Sequence, residues 1–251
     1  MDEARKPRMP GYTILHQDDA VLALNKDSGL AVLSGRGRTE SLVGMLEKEE
    51  SLKGIKPLML HRIDADTSGL ILLALTAEAQ KKISEQFCTR TITKEYYALV
   101  RGTPLNASGS TDLPIGKDPK NKNRMVIRGD EAKKARTKWI VEERFTGVTL
   151  MKVYPVTGRR HQIRVHLKAI GYPLAVDKLY GGDEIKLSEF KKHFKLGKEQ
   201  EERPLIARLT LHAHKLTFVH PTTEAETTIE APLPKDFRAT LEALRKWANR
   251  I

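Results

Sequence analysis

His61-Arg62-Ile63-Asp64-Ala65-Asp66-Thr67-Ser68-Gly69-Leu70 runs directly into Ile71-Leu72-Leu73-Ala74-Leu75, so a cluster of charged and polar side chains gives way at once to an apolar run. Leu70 to Leu75 predicts a buried strand, because a short unbroken apolar run needs cover on both faces. Polar chemistry is therefore held at the edge of a core, where a charge is costly unless it is paired or used. Arg62 and Asp64, two residues apart, fall on one side of an extended chain and make a natural pair. An arginine there keeps Asp64 ionised, the state of a nucleophile rather than of a proton donor. The same pair could equally satisfy itself and hold a loop, so these residues alone leave catalysis and structure both open.

Outward from this stretch, Val21 to Lys26 reads as an early strand followed by a turn at Asp27-Ser28-Gly29. Ser41 to Glu50 reads as a helix. Thr76 is placed to cap a second helix from Ala77 to Phe87, since its hydroxyl can accept an orphan amide. Lys94–Val100, Thr137–Phe145 and Val148–Val156 are strand candidates, and Leu209–Val219 is a longer one. His161–Ile170 reads as a short helix ending at Gly171, and Phe237–Ile251 as a closing amphipathic helix. Strands outnumber helices and hairpin-like pairs dominate, which predicts an α+β fold with a mixed, mostly antiparallel central sheet flanked by helices. No repeat or long low-complexity linker divides the chain, so a single domain over residues 1–251 is expected.

Lysine and arginine total 44 against 32 acidic residues, a net charge of +12. An excess of that size favours polyanionic partners and speeds their capture without bearing on the fold. Residues 117–138 hold nine basic and three acidic side chains, and Pro119, Asn121 and Asn123 give the start a loop-like character. The segment reads as a mobile basic arm; a merely solvated excursion is the alternative. Gly35-Arg36-Gly37-Arg38 is too short to separate a phosphate cradle from a flexible basic loop. Met1–Pro10 lacks an apolar signal region and no run is long enough to span a bilayer, so a cytoplasmic protein without membrane contact is expected. Cys88, the single cysteine, has no His or Cys close by and reads as a packing residue.

His61-Arg62-Ile63-Asp64 with Thr67-Ser68-Gly69-Leu70 resembles the signature of the RluA-type family of RNA pseudouridine synthases, departing conservatively at Ile63. Lys94-Glu95-Tyr96-Tyr97-Ala98-Leu99-Val100 resembles that family's second motif. Thr157-Gly158-Arg159-Arg160-His161-Gln162-Ile163-Arg164-Val165-His166-Leu167, with Leu179-Tyr180-Gly181 after it, resembles the third. The resemblance runs from about Val21 to Phe237. Asp27 stands where the family usually has a proline, and Val176 where a glycine commonly precedes the aspartate, so two loops are expected to differ in shape.

The resemblance implies the pseudouridine synthase fold in a stand-alone catalytic domain, without the small RNA-binding domain many members carry in front. It implies isomerisation of uridine in RNA, ribosomal or transfer: the glycosidic bond breaks, the base rotates, and it rejoins through carbon 5. No cofactor or metal is required. Asp64 becomes the essential residue, attacking the sugar, attacking the base, or helping to form a glycal; the sequence does not choose. Tyr96 stacks on the base and is a candidate proton acceptor, with Tyr97 facing the other way. Arg164 becomes the ion-pair partner of Asp64. Arg62 is then free for a phosphate or for the gap left by an extruded nucleotide. Thr67, Arg159, Arg160 and Lys168 join the RNA contacts, as do Lys120, Lys122 and Arg124 of the basic arm, although basic residues around a short helix are often only a solvated face.

Two metal readings compete. Asp64 and Asp66 could hold magnesium in a nuclease, but too few carboxylates converge nearby. His212 and His214, alternating on a strand, could bind zinc with His220, but no further ligand follows at suitable spacing. A catalytically idle RNA-binding module would share everything except Asp64, Tyr96 and Arg164, and all three are present. With no heptad or exposed apolar stripe, a monomer is expected.

Overall fold

Seven consecutive residues of strand β4 (Ser68–Ala74) are buried, and both faces of the strand are covered. Leu70, Leu72 and Ala74 pack with Ala79 and Ile83 of helix α2 (Ala77–Thr89) on one face. Ile71 and Leu73 pack with Leu42 and Leu46 of helix α1 (Leu42–Leu46) on the other. This two-sided cover is why the strand is apolar without alternation. The computed structural model describes residues 11–33, 40–49, 52, 54–182, 184–197 and 201–249.

Strand β2 (Val21–Lys26) pairs antiparallel with β4, and β1 (Tyr12–Gln17) flanks β2. On its other side β4 meets β12 (Leu211–Val219) in parallel, His212 opposite Ser68 and Ala213 opposite Gly69. Gly69 has φ 111°, and a Cβ there would overlap the Ala213 backbone, so only glycine lets these two strands approach. Beyond β12 follow β5 (Thr93–Arg101), β11 (Val148–Pro155), β10 (Arg136–Phe145) and β6 (Ser108–Asp112), each antiparallel to its neighbour. β13 (Glu226–Glu230) pairs with β12 and β3 (Leu58–Met59) with β4. Among the described residues these make a ten-stranded sheet, mixed and mostly antiparallel as expected.

Helix α3 (Gln162–Ala169) follows His161, which adopts the left-handed conformation at φ 55°. Helix α4 (Lys235–Trp247) closes against Phe145, Val148 and Leu150 through Phe237, Leu241 and Leu244. Ser41 and Thr76 cap α1 and α2 through their hydroxyls, accepting from Gly44 N and Ala79 N. α1 is shorter than the expected 41–50 helix, and α4 stops at Trp247, before the expected end at Ile251; Glu50, Met1–Pro10, Gly35–Arg38, Arg250 and Ile251 lie outside the described residues.

The basic segment differs most from its sequence reading. Residues expected as a loop-like arm form β7 (Ile115–Asp118), β8 (Asn121–Ile127) and β9 (Asp130–Lys133), a second sheet in the order β8-β7-β9. Its apolar residues are few but gathered: Ile115, Met125 and Ile127 pack with Ala135, Val165 and Tyr180. Outside Ile115 and the short run Met125-Val126-Ile127 these strands are charged, polar or small and show no alternation, which is why the sequence suggests a loop.

Candidate active site

The loop carrying Asp64 is fastened from several sides. The Leu72 amide donates to His61 Nε2 at 2.9 Å, and burial together with Lys94 pushes this imidazole down to about 3, so it stays a neutral acceptor. The Thr67 amide donates to the Asp64 carbonyl at 3.1 Å. Lys26 is fully buried, and its ammonium donates to the carbonyls of Asp27, Leu30 and Ala65, each at 2.8 Å. Burial pushes Lys26 down to about 7 against the pull of Asp66, Asp27 and Asp64. This lysine ties the opening turn to the loop and leaves the Asp64 carboxylate at the surface of a cleft.

Arg164 reaches that carboxylate from α3, Nη1 lying 3.4 Å from Asp64 Oδ2. Its firmer partner is Asp177, which accepts from Nε at 2.8 Å and Nη2 at 2.7 Å. Asp177 Oδ1 also accepts from the amides of Leu179 and Tyr180, which closes the loop after α3. Arg164 and Asp177 are 5% and 1% exposed, so the fork is fixed before any ligand arrives. Arg62 is exposed and makes no ion pair with Asp64 among the described residues, which corrects the pairing suggested by their spacing. Two residues on one side of a strand need not meet once the segment curls into a turn.

His161 lies behind Asp64, Nε2 3.9 Å from Oδ2, and burial pushes it down to about 4. Its Nδ1 sits 2.8 Å from the Tyr180 hydroxyl, which accepts from the Met125 amide at 2.8 Å. The Tyr180 ring is flanked by Arg164 at 4.9 Å and Arg124 at 5.5 Å. Tyr180 thus joins the small sheet to the arginine beside Asp64.

Tyr96, on β5, faces the cleft, and burial together with the Asp64 charge pushes its phenol above the ordinary range. Tyr97 faces the other way, against His214 and Lys152. The cleft encloses about 450 Å³ and is lined by Arg62, Asp64, Thr67, Tyr96, Arg159 and His161 among others. A wider concavity of about 980 Å³, bearing Arg160, Arg164, Lys178 and Arg208, meets it at Arg62, Ile63, Asp64 and His161.

The structure brings together Asp64, Tyr96, Arg164, Arg62, Thr67, Arg159 and Arg160. Thr67 is buried and Arg160 donates to the Lys122 and Asn123 carbonyls, so both also hold structure. Arg124 packs on Tyr180 with Asp118 at 3.8 Å, and Lys168 is exposed but lines neither concavity. Lys120 and Lys122 stand exposed on the small sheet. Cys88 is exposed in the cleft wall rather than packed inside, because it falls in the last turn of α2. His212 and His214 both face the Ala231 carbonyl, whereas His220 pairs with Asp18. Sequence reasoning missed the roles of Asp177, His161 and Tyr180. The available signal was the run Asp177-Lys178-Leu179-Tyr180, an acid at the start of a turn whose carboxylate can accept the turn's own amides.

A carboxylate set by a buried arginine, at the floor of a groove edged with cations on a mixed sheet, defines an enzyme built for a polyanionic substrate. The family model for RNA pseudouridylate synthases matches residues 20–169, and the chain belongs to that family, as an RNA pseudouridine synthase of the RluA type. It is 36% identical to the ribosomal large subunit pseudouridine synthase C of Pasteurella multocida, over 93% of this chain and 68% of that protein. The Escherichia coli K12 protein of the same name is 36% identical over 92% of this chain and 70% of its own length. Human RNA pseudouridylate synthase domain containing 4 superposes with a TM-score of 0.69 at 27% identity, covering 92% of each chain. No helix among the described residues is long and apolar enough to cross a membrane.

Proposed function

We propose that this chain converts particular uridines in structured RNA, ribosomal or transfer, to pseudouridine through a single catalytic domain, with Asp64 as the essential group and no cofactor. The observation that carries the reading is the Asp64 carboxylate held 3.4 Å from a guanidinium that is itself locked to Asp177. The reaction breaks the bond from the sugar to N1, turns the base, and forms a bond from the sugar to carbon 5 as the carbon 5 proton leaves and N1 takes up a proton. Nothing is oxidised or reduced, so a charge positioned against the sugar or base suffices.

The cleft volume falls within the range of small-ligand sites, roughly 300–1,000 Å³, which suits an extruded nucleoside. Arg62, exposed where the two concavities meet, is placed for a phosphate or for the gap left in the RNA. Tyr96 is held as the neutral phenol, which favours stacking on the base over the proton-acceptor role. Neutral His161 contributes a polar wall without a charge that would compete with Arg164.

The test is tritium release from RNA labelled at carbon 5 of its uridines, with wild type and Asp64→Asn in parallel on ribosomal and transfer RNA. Wild type should release tritium and Asp64→Asn should fall to background while still binding RNA. Release by the variant would remove Asp64 from the mechanism. Tight binding without release by wild type on either pool would favour an RNA-binding module instead.

A further inference from the structure

Beyond Tyr96 the cleft continues to a group of cations that the chemistry at Asp64 leaves unused. Lys94 lies two residues before Tyr96 on β5, so the two side chains leave the same face of the strand, roughly 7 Å apart along it. Both line the cleft. Arg90 lines the same end, held at φ 62° where α2 stops.

Among the described residues neither Arg90 nor Lys94 has a carboxylate in salt-bridge range or a hydrogen-bond acceptor for its side chain. Lys117 pairs with Glu131, Lys152 with Glu142 and Lys215 with Glu230, and Lys122, Lys133 and Lys138, strand lysines with no carboxylate in range among the described residues, are exposed. Lys94 is also half-buried, and burial with the Arg90 charge pushes its ammonium below the ordinary lysine range. The helix dipole of α2 accounts for a cation at Arg90 but not for a second, partly desolvated one beside it. Two like charges gathered in a cleft wall, with none of the described residues neutralising them, are arranged for an anion from outside.

We propose that Arg90 and Lys94 form an anion subsite for a backbone phosphodiester of the substrate strand adjacent to the target uridine, an inference that rests on the RNA reading of the site. A base stacked on Tyr96 leaves its own strand passing along β5 toward Lys94. Arg90 adds a planar fork to the lysine's point charge. Arg160 lines the wider concavity that meets this cleft at Arg62 and Asp64, so cations stand in both concavities that share Asp64. The subsite is a positioning device: it fixes where the strand lies, not the bond that breaks.

Lys94→Met, Lys94→Arg and Arg90→Gln test it on large-subunit ribosomal RNA lacking the modification. Lys94→Met should raise KM roughly tenfold, the worth of one charge-assisted hydrogen bond, with kcat within about twofold. Lys94→Arg should recover most of the loss. The log-log salt slope of RNA binding should fall by about 0.7 for Lys94→Met, as for one single-strand phosphate released, and by a similar amount for Arg90→Gln. Lys94→Met should melt no lower than wild type, because it removes a partly desolvated and unpaired charge. An unchanged KM and salt slope would overturn the proposal, as would a kcat loss at constant KM or a lower melting temperature as the main effect. If wild type modifies no RNA, the synthase reading fails instead, and the salt slopes of the same variants still decide the subsite.

Discussion

Two ion pairs of nearly equal length show how differently the cleft and the small sheet are built. Arg164 meets Asp177 at 2.7 Å beneath the cleft, where both are almost fully buried. Lys117 meets Glu131 at 2.9 Å on the small sheet, where they are 60% and 69% exposed. The first pair gave up its hydration on folding and is bidentate, so each partner depends on the other. The second stays hydrated and screened, and either partner can leave at little cost. Distance alone does not rank them; burial does. The cleft therefore holds its chemistry rigidly, and the small sheet presents charge to the solvent.

Asp177→Asn is the hardest blow to this contrast. It leaves Arg164 buried with half its partner and should cost about 3–5 kcal/mol in urea unfolding, with turnover falling at least about tenfold as Asp64 loses a fixed neighbour. A loss below about 1 kcal/mol would place the two pairs in one class and break the comparison. Tyr180→Phe tests the joint between the small sheet and the cleft. It removes the hydroxyl that serves both Met125 N and His161 Nδ1, so a cost of about 1–3 kcal/mol is expected. Hydrogen exchange at the Met125 amide should quicken while exchange along β4 changes little.

Acid should act on the cleft and the core behind it first. His61, His161 and His212 are pushed down by burial to about 3, 4 and 4, so the unfolded chain binds protons that the folded chain refuses. Their contribution is complete above the ordinary histidine range near 6.5 and is lost as the pH falls toward about 4. Melting temperature followed from pH 7 to pH 4 should fall steadily, and His61→Gln should flatten the slope. Neutralising Lys120 and Lys122 together should leave stability alone and lower the salt slope of RNA binding by about 0.7–0.9 for each phosphate that is no longer neutralised. Lys117→Ala should shift the urea midpoint by nothing measurable.

The strands of the large sheet are legible because burial leaves a pattern. Val21–Lys26 is placed to the residue from sequence, and the strand at Leu70–Leu75 to within two. The capping hydroxyl of Thr76 is legible for an equally local reason. The small sheet is not, since Ile115, Met125 and Ile127 find their cover on α3 and Tyr180 rather than on one another. In the site, three motifs name Asp64, Tyr96 and Arg164. The spacing of Arg62 and Asp64 suggests a pair that the turn at residues 64–67 prevents.

The sequence by itself determined the mostly antiparallel sheet, the basic surface, the family and the residue at the centre of the cleft. Each of these is carried by local pattern, composition or a run of side chains read along the chain. Only the tertiary structure decided that Arg164 is held by Asp177, that Tyr180 joins the small sheet to the cleft, and that Arg90 and Lys94 stand unpaired among the described residues. Those facts depend on which distant segments share a low-dielectric space. Pairing across such a space is set by packing and desolvation, which no single stretch of sequence records.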